Sequence, residues 1–364
     1  MRRKIAYVLL ATCATIAPSY ADDPSWAKAL DELLTTKQEA GFAGAVVVEQ
    51  DGAVIFGKGY GMANREEKIA WGLDTVYCLG SITKQFTGAG IVKLQTDGKL
   101  SVNDLLIKWI PDLPADKSQI TLHHLLTHSA GVPDGFGGDF DPQATEEWFL
   151  EKFRACKLLW GPEEFGERYE YSNAGYSLLA IVIGRASGMP YEAYLKHSLF
   201  DPLGMSRTGY SSPKWKPEDF AHGYSRDRDD GVVVLKHALP DGPNWNLRGN
   251  GGICTTFEDM RTWNHALIEH RVFDAETSKL IDSPFVREGD GANTFYSYGW
   301  SVALNEDGTL RYRGHNGGDG VSFSDFRWYP GRKTLVLIAS TTFPTGLSNT
   351  VPKIMQTIFE SQPR

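Results

Sequence analysis

The chain has 364 residues, 41% hydrophobic and 23% charged, with 10 Trp, 15 Tyr and 18 Phe. That is enough for two average domains or one large two-lobed domain and excludes a disordered or fibrous polymer. Asp plus Glu number 45 against 37 Lys plus Arg, a net charge of -8. A chain this acidic, with no basic stripe, repels a phosphate backbone, so no nucleic-acid partner is expected.

Arg2-Arg3-Lys4 is a positive n-region, Ile5 to Ile16 a short apolar run, and Ser19-Tyr20-Ala21 a small-residue cleavage site. This is the pattern of an export signal over residues 1–21, so the mature chain is expected to begin at Asp22 and to be periplasmic or secreted. The apolar run is too short to span a bilayer, and no other stretch approaches transmembrane length. A lipoprotein signal would use Cys13, but Thr12 before it fits poorly. Cys78, Cys156 and Cys254 remain; an odd count argues against a disulfide framework and leaves a single bridge open.

Trp26, Leu30, Leu33 and Leu34 recur at helical spacing. Two β-rich runs follow, 43–49 and 53–61, joined through Asp51-Gly52 as a hairpin. A helix is predicted from Ser81, carrying Ile82, Phe86, Ala89 and Val92, and another around Leu122, Leu125 and Leu126. An apolar helix at 174–187 stops at Gly188 and Pro190. One more follows Thr255-Thr256. Segments 129–147 and 208–250, rich in Gly, Pro and Asp, read as long loops. Runs at 296–304, 309–315, 320–329 and 333–341, separated by Gly-rich turns, predict an antiparallel meander, with a final helix at 348–360. Two strands at one end and four at the other imply one sheet built from both termini, with the helical stretch inserted. The expected organisation is a single catalytic domain over 22–364, its sheet lobe at about 22–80 and 290–364 and its helical lobe at about 81–289.

The signatures of α/β-hydrolases, P-loop proteins, dinucleotide folds and zincins are all missing from the sequence. His124-Leu-Leu-Thr-His128 sets two imidazoles one helical turn apart, as a metal pair requires. With no acidic residue in the motif and leucines between them, helix packing is the expected role, and no metal is assigned.

Ser-x-x-Lys occurs at Ser25, Ser81 and Ser211, so spacing alone decides nothing. Only Ser81-Ile-Thr-Lys84 follows a glycine and opens a strongly apolar helix, where positions i and i+3 share a face and the Lys84 amine would lie beside the Ser81 hydroxyl. A serine alcohol needs such a neighbour to attack a carbonyl; the plain alternative is that Ser81 is a helix cap. Tyr171-Ser-Asn173, the only Tyr-x-Asn, stands at the entry to the 174–187 helix, where Ser172 or Asn173 could be a cap. His315-Asn-Gly317, the only His-x-Gly, closes a strand and precedes Gly318.

In this order and on these elements, the three motifs resemble the penicillin-recognising serine enzymes, most closely the group of class C β-lactamases, cell-wall D-amino-acid peptidases and related esterases. The likeness runs from about Gly41 to Ser340 and includes the block from Leu122 to Gly131, Tyr171 to Leu179, Leu199 to Met205 and Gly251-Gly252. It implies a mixed α/β fold, a sheet flanked by terminal helices beside an all-helical lobe, with the active site between them. It also implies an acyl-enzyme at Ser81, with Lys84 as cationic neighbour and Tyr171 as general base, its phenol drawn toward neutrality by the ammonium. Asn173 and His315 would bind substrate, and Gly317 and Gly318 would let the strand edge approach it, the Ser81 and Gly318 amides forming the oxyanion hole.

No metal, organic cofactor or obligate protein partner is implied. The third motif carries imidazole where class C β-lactamases carry an ammonium, so recognition of a β-lactam carboxylate should be weaker and dependent on His315 protonation. The expected activity is that of a D-alanyl-D-alanine carboxypeptidase-like peptidase or amidase on small or peptide substrates. The alternatives are a small-acyl carboxylesterase, a class C-like β-lactamase, or a penicillin-binding sensor that acylates without turnover.

Overall fold

Gly44-Ala-Val-Val-Val-Glu-Gln50 forms an interior strand because it is buried on both faces: Val46 and Val48 point to one side and Ala45 and Val47 to the other. In the computed structural model, which describes residues 25–139, 144–211, 213–225, 228–236, 238–239, 242–342 and 347–360, this strand belongs to an eight-stranded antiparallel sheet. The export-signal pattern lies outside the described residues. In chain order the strands are β1 (Gly44–Gln50), β2 (Ala53–Tyr60), β3 (Val286–Arg287), β4 (Thr294–Tyr296), β5 (Ser301–Leu304), β6 (Leu310–Gly318), β7 (Phe323–Tyr329) and β8 (Thr334–Ser340). Their spatial order is β3-β4-β5-β6-β7-β8-β1-β2. The termini close the sheet where β1 pairs β8, from Gly44 opposite Ser340 to Gln50 opposite Thr334.

The helices that matter to the site and its support are α1 (Ser25–Glu39), α2 (Thr83–Thr96), α3 (Leu122–Leu126), α4 (Glu146–Ala155), α5 (Asn173–Ser187), α6 (Phe257–Ile268), α7 (Ala275–Asp282) and α8 (Leu347–Glu360). Trp26, Leu30 and Leu34 of α1 join Ile354 and Ile358 of α8 over Val46, Val48, Val336 and Ile338. The opposite face carries Ala45, Val47, Leu335, Leu337 and Phe326 into the larger core with Phe86, Ile91, Leu178 and Trp263. Each fully buried aliphatic side chain contributes about 1.5–3 kcal/mol against exposure, so the sheet is fixed from both sides. Glu49, only 1% exposed, pairs with the Arg261 guanidinium of α6 and hydrogen-bonds His265 Nε2 of the same helix, at 2.6 Å each.

The structure redraws two expectations and adds the single bridge that the sequence left open. The run 296–304 is two strands, β4 and β5, because Ser297 to Gly299 turn the chain and Gly299 takes a φ of +89°; the sheet also gains the short strand β3, which has no alternating pattern to announce it. Segment 208–250 contains two small hairpins, Gly223–Ser225 with Arg228–Gly231 and Ala238–Leu239 with Gly242–Pro243. Cys78 and Cys254 face one another in a two-residue antiparallel pairing and form a disulfide, while Cys156 is free. Among the described residues no helix is long and apolar enough to cross a membrane.

Candidate active site

Ser81 sits in the single 3-10 turn Gly80–Ile82 that leads into α2, and that turn has no side-chain cap. The hydroxyl is therefore not used as a cap. Lys84, one turn on, is fully buried. Its Nζ lies 3.2 Å from Ser81 Oγ, 2.7 Å from Asn173 Oδ1 and 2.8 Å from the Asn250 carbonyl, and 4.7 Å from the centre of the Tyr171 ring. Burial pushes the Lys84 amine down to about 7, against a weaker upward pull from Asp134 and Asp139.

Nζ donates to all three oxygens. With its pKa at about 7 the amine gives up a proton readily, and a neutral Lys84 that kept its N–H bonds to Asn173 Oδ1 and the Asn250 carbonyl would turn its lone pair toward the Ser81 hydroxyl. Burial acts on Tyr171 the other way, pushing its phenol up despite a hydrogen bond with Ser81. The direction is opposite to that expected of a phenol beside an ammonium, because desolvation of the phenolate outweighs the Ser81 hydrogen bond and the carboxylates of Asp134, Glu288 and Asp139 add repulsion.

Asn173 is the first residue of α5. The helix is capped by Ser172, whose Oγ accepts the Gly175 amide, so the Asn173 side chain is released from capping, while its backbone N–H donates to Asp134 Oδ1 at 3.0 Å. The apolar length of α5 buries nearly every turn, which holds that first residue rigidly against Lys84.

His315 lies on β6 between Tyr171 and Tyr296. Its Nδ1 is 2.5 Å from the Asn316 carbonyl, which only accepts, so Nδ1 carries the proton. Nε2 then accepts from the Tyr296 hydroxyl at 2.9 Å. Burial and the nearby Lys84 push this imidazole down to about 3. It is neutral near pH 7, which removes the expected dependence on its protonation.

Gly80 has a φ of +52°, where a side chain is strained. A Cβ there would meet Gly318 N at 2.4 Å, and a Cβ on Gly317 would meet Leu79 O at 2.0 Å and Ser81 N at 2.6 Å. Only glycine lets the end of β6 press its backbone onto the serine turn.

The other two Ser-x-x-Lys copies lie elsewhere. Lys28 reaches Glu32 on an exposed face, and Ser211 Oγ donates to Glu192. Sequence reasoning missed the Asn250 carbonyl, a backbone group without a side-chain signal, and also Asp134 and Tyr296; the Gly251-Gly252 pair beside Asn250 was the available hint. Among the described residues, Glu66, His222 and Asp229 are the group able to offer three metal ligands within 4.8 Å of one another. Their protein partners account for that contact: His222 bonds Asp229 at 3.0 Å and Asn64 at 3.3 Å, and Glu66 accepts from Tyr224.

A family model described as Beta-lactamase matches residues 26–352. The chain is similar to Penicillin-binding protein 4* of Bacillus subtilis, 29% identical over 345 residues that cover 88% of this chain and 73% of that protein. It is also similar to Protein flp of Staphylococcus aureus, 28% identical over 226 residues, 60% of this chain and 44% of that one. Among solved structures, the octameric penicillin-binding protein homologue of Pyrococcus abyssi aligns with a TM-score of 0.76 at 26% identity, covering 92% of this chain and 77% of its own. A penicillin-binding protein of Bacillus halodurans aligns with a TM-score of 0.74 at 26% identity, covering 89% and 98%.

Proposed function

Because the chain belongs to the beta-lactamase family of serine hydrolases, we propose that it is an exported hydrolase working through an acyl-enzyme at Ser81, with amides of D-amino-acid peptides as its preferred substrates. The observation that carries the reading is Lys84 Nζ, fully buried and 3.2 Å from Ser81 Oγ. The residue-1–21 signal pattern and the Cys78–Cys254 disulfide support export, since disulfides persist in oxidising compartments.

In the first step Ser81 Oγ bonds to the substrate carbonyl carbon while its proton passes to the Lys84 lone pair, and the carbonyl π electrons move onto oxygen. The amides of Ser81 and Gly318 would receive that oxyanion, a contribution of about 100- to 1000-fold per donor. Collapse breaks the bond to the leaving amine or alkoxide, which takes the proton held on Lys84, directly or across the Tyr171 phenol. Water then adds to the acyl-serine carbonyl as Lys84 takes its proton, and collapse breaks the bond to Ser81 Oγ, which recovers that proton from Lys84 as the acid leaves. Asn173 would orient both Lys84 and the substrate amide.

A second reading, hydrolysis of small-acyl esters, is favoured by the neutral His315, which offers no cation to a substrate carboxylate. A panel of D-amino-acid anilides and uncharged chromogenic esters, followed for many turnovers, tests the proposal. Sustained release of many equivalents supports a hydrolase; release that stops at one equivalent per chain favours a sensor that acylates without turnover.

A further inference from the structure

The two histidines of His124-Leu-Leu-Thr-His128 are separated by the fold. The helix α3 ends at Leu126 with Thr127 as its cap. His124 stays at the start of the helix, where its Nδ1 accepts the Thr121 amide at 3.2 Å. His128 lies past the end in left-handed backbone, with a φ of +58°, and is 2% exposed.

His128 grips the chain on both sides of Tyr171. Its carbonyl accepts the Glu170 amide at 3.0 Å, and its Nδ1 accepts the Ser172 amide at 3.1 Å. The imidazole centroid is 4.4 Å from that of Tyr171 and 4.3 Å from that of Tyr296, whose hydroxyl bonds His315. Among the described residues His128 Nε2 has no hydrogen-bond partner; it is surrounded by tyrosine rings instead. A buried, polar residue in a backbone conformation that disfavours side chains needs a reason to be there.

We infer that His128 is a positioning residue for acylation: by holding the amides of Glu170 and Ser172 and packing its ring on the phenol, it fixes where Tyr171 points relative to Ser81 and Lys84. It touches neither substrate nor the reacting atoms. The inference rests on the acyl-enzyme reading above. A misplacement of about 1 Å in such a site costs on the order of 100-fold in rate, so the effect belongs in kcat rather than KM.

The test measures single-turnover labelling of Ser81 by an uncharged chromogenic ester, alongside KM, for His128→Phe, His128→Gly and His128→Asn. Phe keeps ring bulk and loses the acceptor; Gly loses the acceptor and relaxes the backbone, so it serves if the Phe variant does not fold. Asn places Oδ1 the same number of bonds from Cα as the imidazole Nδ1 and tolerates positive φ. The expected result is a 10- to 100-fold loss of rate in Phe or Gly with KM within about threefold, and a loss of less than about fivefold in Asn. In a Tyr171→Phe background the His128 substitution should cost little more, because it acts through that phenol. A folded Phe or Gly variant within threefold of wild type, or a loss that multiplies undiminished in the Tyr171→Phe background, overturns the inference and leaves the acyl-enzyme standing. Labelling that persists in Ser81→Ala removes the acyl-enzyme itself, and the inference with it.

Discussion

Lys84 Nζ lies closer to Asn173 Oδ1, at 2.7 Å, than to Ser81 Oγ, at 3.2 Å. The first residue of α5 therefore holds the amine that the serine turn at the start of α2 requires, and the two motifs form one device across the two helices. Asn173→Ala should remove that hold, let Lys84 turn from Ser81 and lower acylation by about 10- to 100-fold. Single-turnover labelling checks it; an unchanged rate would limit Asn173 to substrate binding.

The Lys84 amine, pushed down to about 7 from 10.5 by burial, is protonated and inactive as a base below that value. The kcat/KM for an uncharged ester should therefore fall about tenfold per pH unit below about 7 and level off above it. The same depression bears on stability. Between about 7 and 10.5 the unfolded chain holds a proton on this lysine that the folded chain lacks, so its contribution to stability improves as pH rises through that window. A rate profile flat from pH 5 to pH 8 would exclude a neutral Lys84 as the base.

Tyr171→Phe should lower acylation by roughly 100- to 10,000-fold, the span expected of a group that moves protons, with the fold kept. A loss below threefold would leave proton traffic to Lys84 alone. Thermal unfolding and labelling of the same preparation separate the two effects.

His315 is neutral well above about 3, so the preference between a carboxylate-bearing cephalosporin and an uncharged ester should not change between pH 6 and pH 8 on its account. His315→Lys should shift that preference toward the cephalosporin. Comparing kcat/KM for the two substrates on both proteins checks it, and an unchanged ratio would remove His315 from carboxylate recognition.

The disulfide joins residues 176 apart and ties the strand ahead of Ser81 to the segment after Asn250. Reducing it should cost about 2–4 kcal/mol, seen as a lower Tm with a phosphine reductant. An unchanged Tm together with two alkylatable thiols in the untreated protein would contradict the bridge.

The three motifs were legible because each joins an unusual residue to a recognisable element: Ser81 leads into an apolar helix, Asn173 begins another, and His315 lies on a strand that runs on through Gly317 and Gly318. The hairpin of β1 and β2 and the run of β7 and β8 were legible through turn residues and apolar density. The strand β3 was not, since two residues carry no period. The electrostatics were not legible either. Reference values put Tyr171 and His315 near charges that would shift them usefully, whereas burial, a tertiary property, drives both toward their neutral forms. The grip of His128 on Glu170 and Ser172 crosses more than forty residues of chain, and no local pattern could announce it.

The central claim is that Ser81 takes the acyl group. The most direct measurement is intact mass of the protein after a fluorescent penicillin, with the modified peptide mapped. One adduct on the peptide containing Ser81, absent in Ser81→Ala and present in Ser211→Ala, is the predicted result. An adduct that persists in folded Ser81→Ala, or that maps to Ser25 or Ser211, would contradict it.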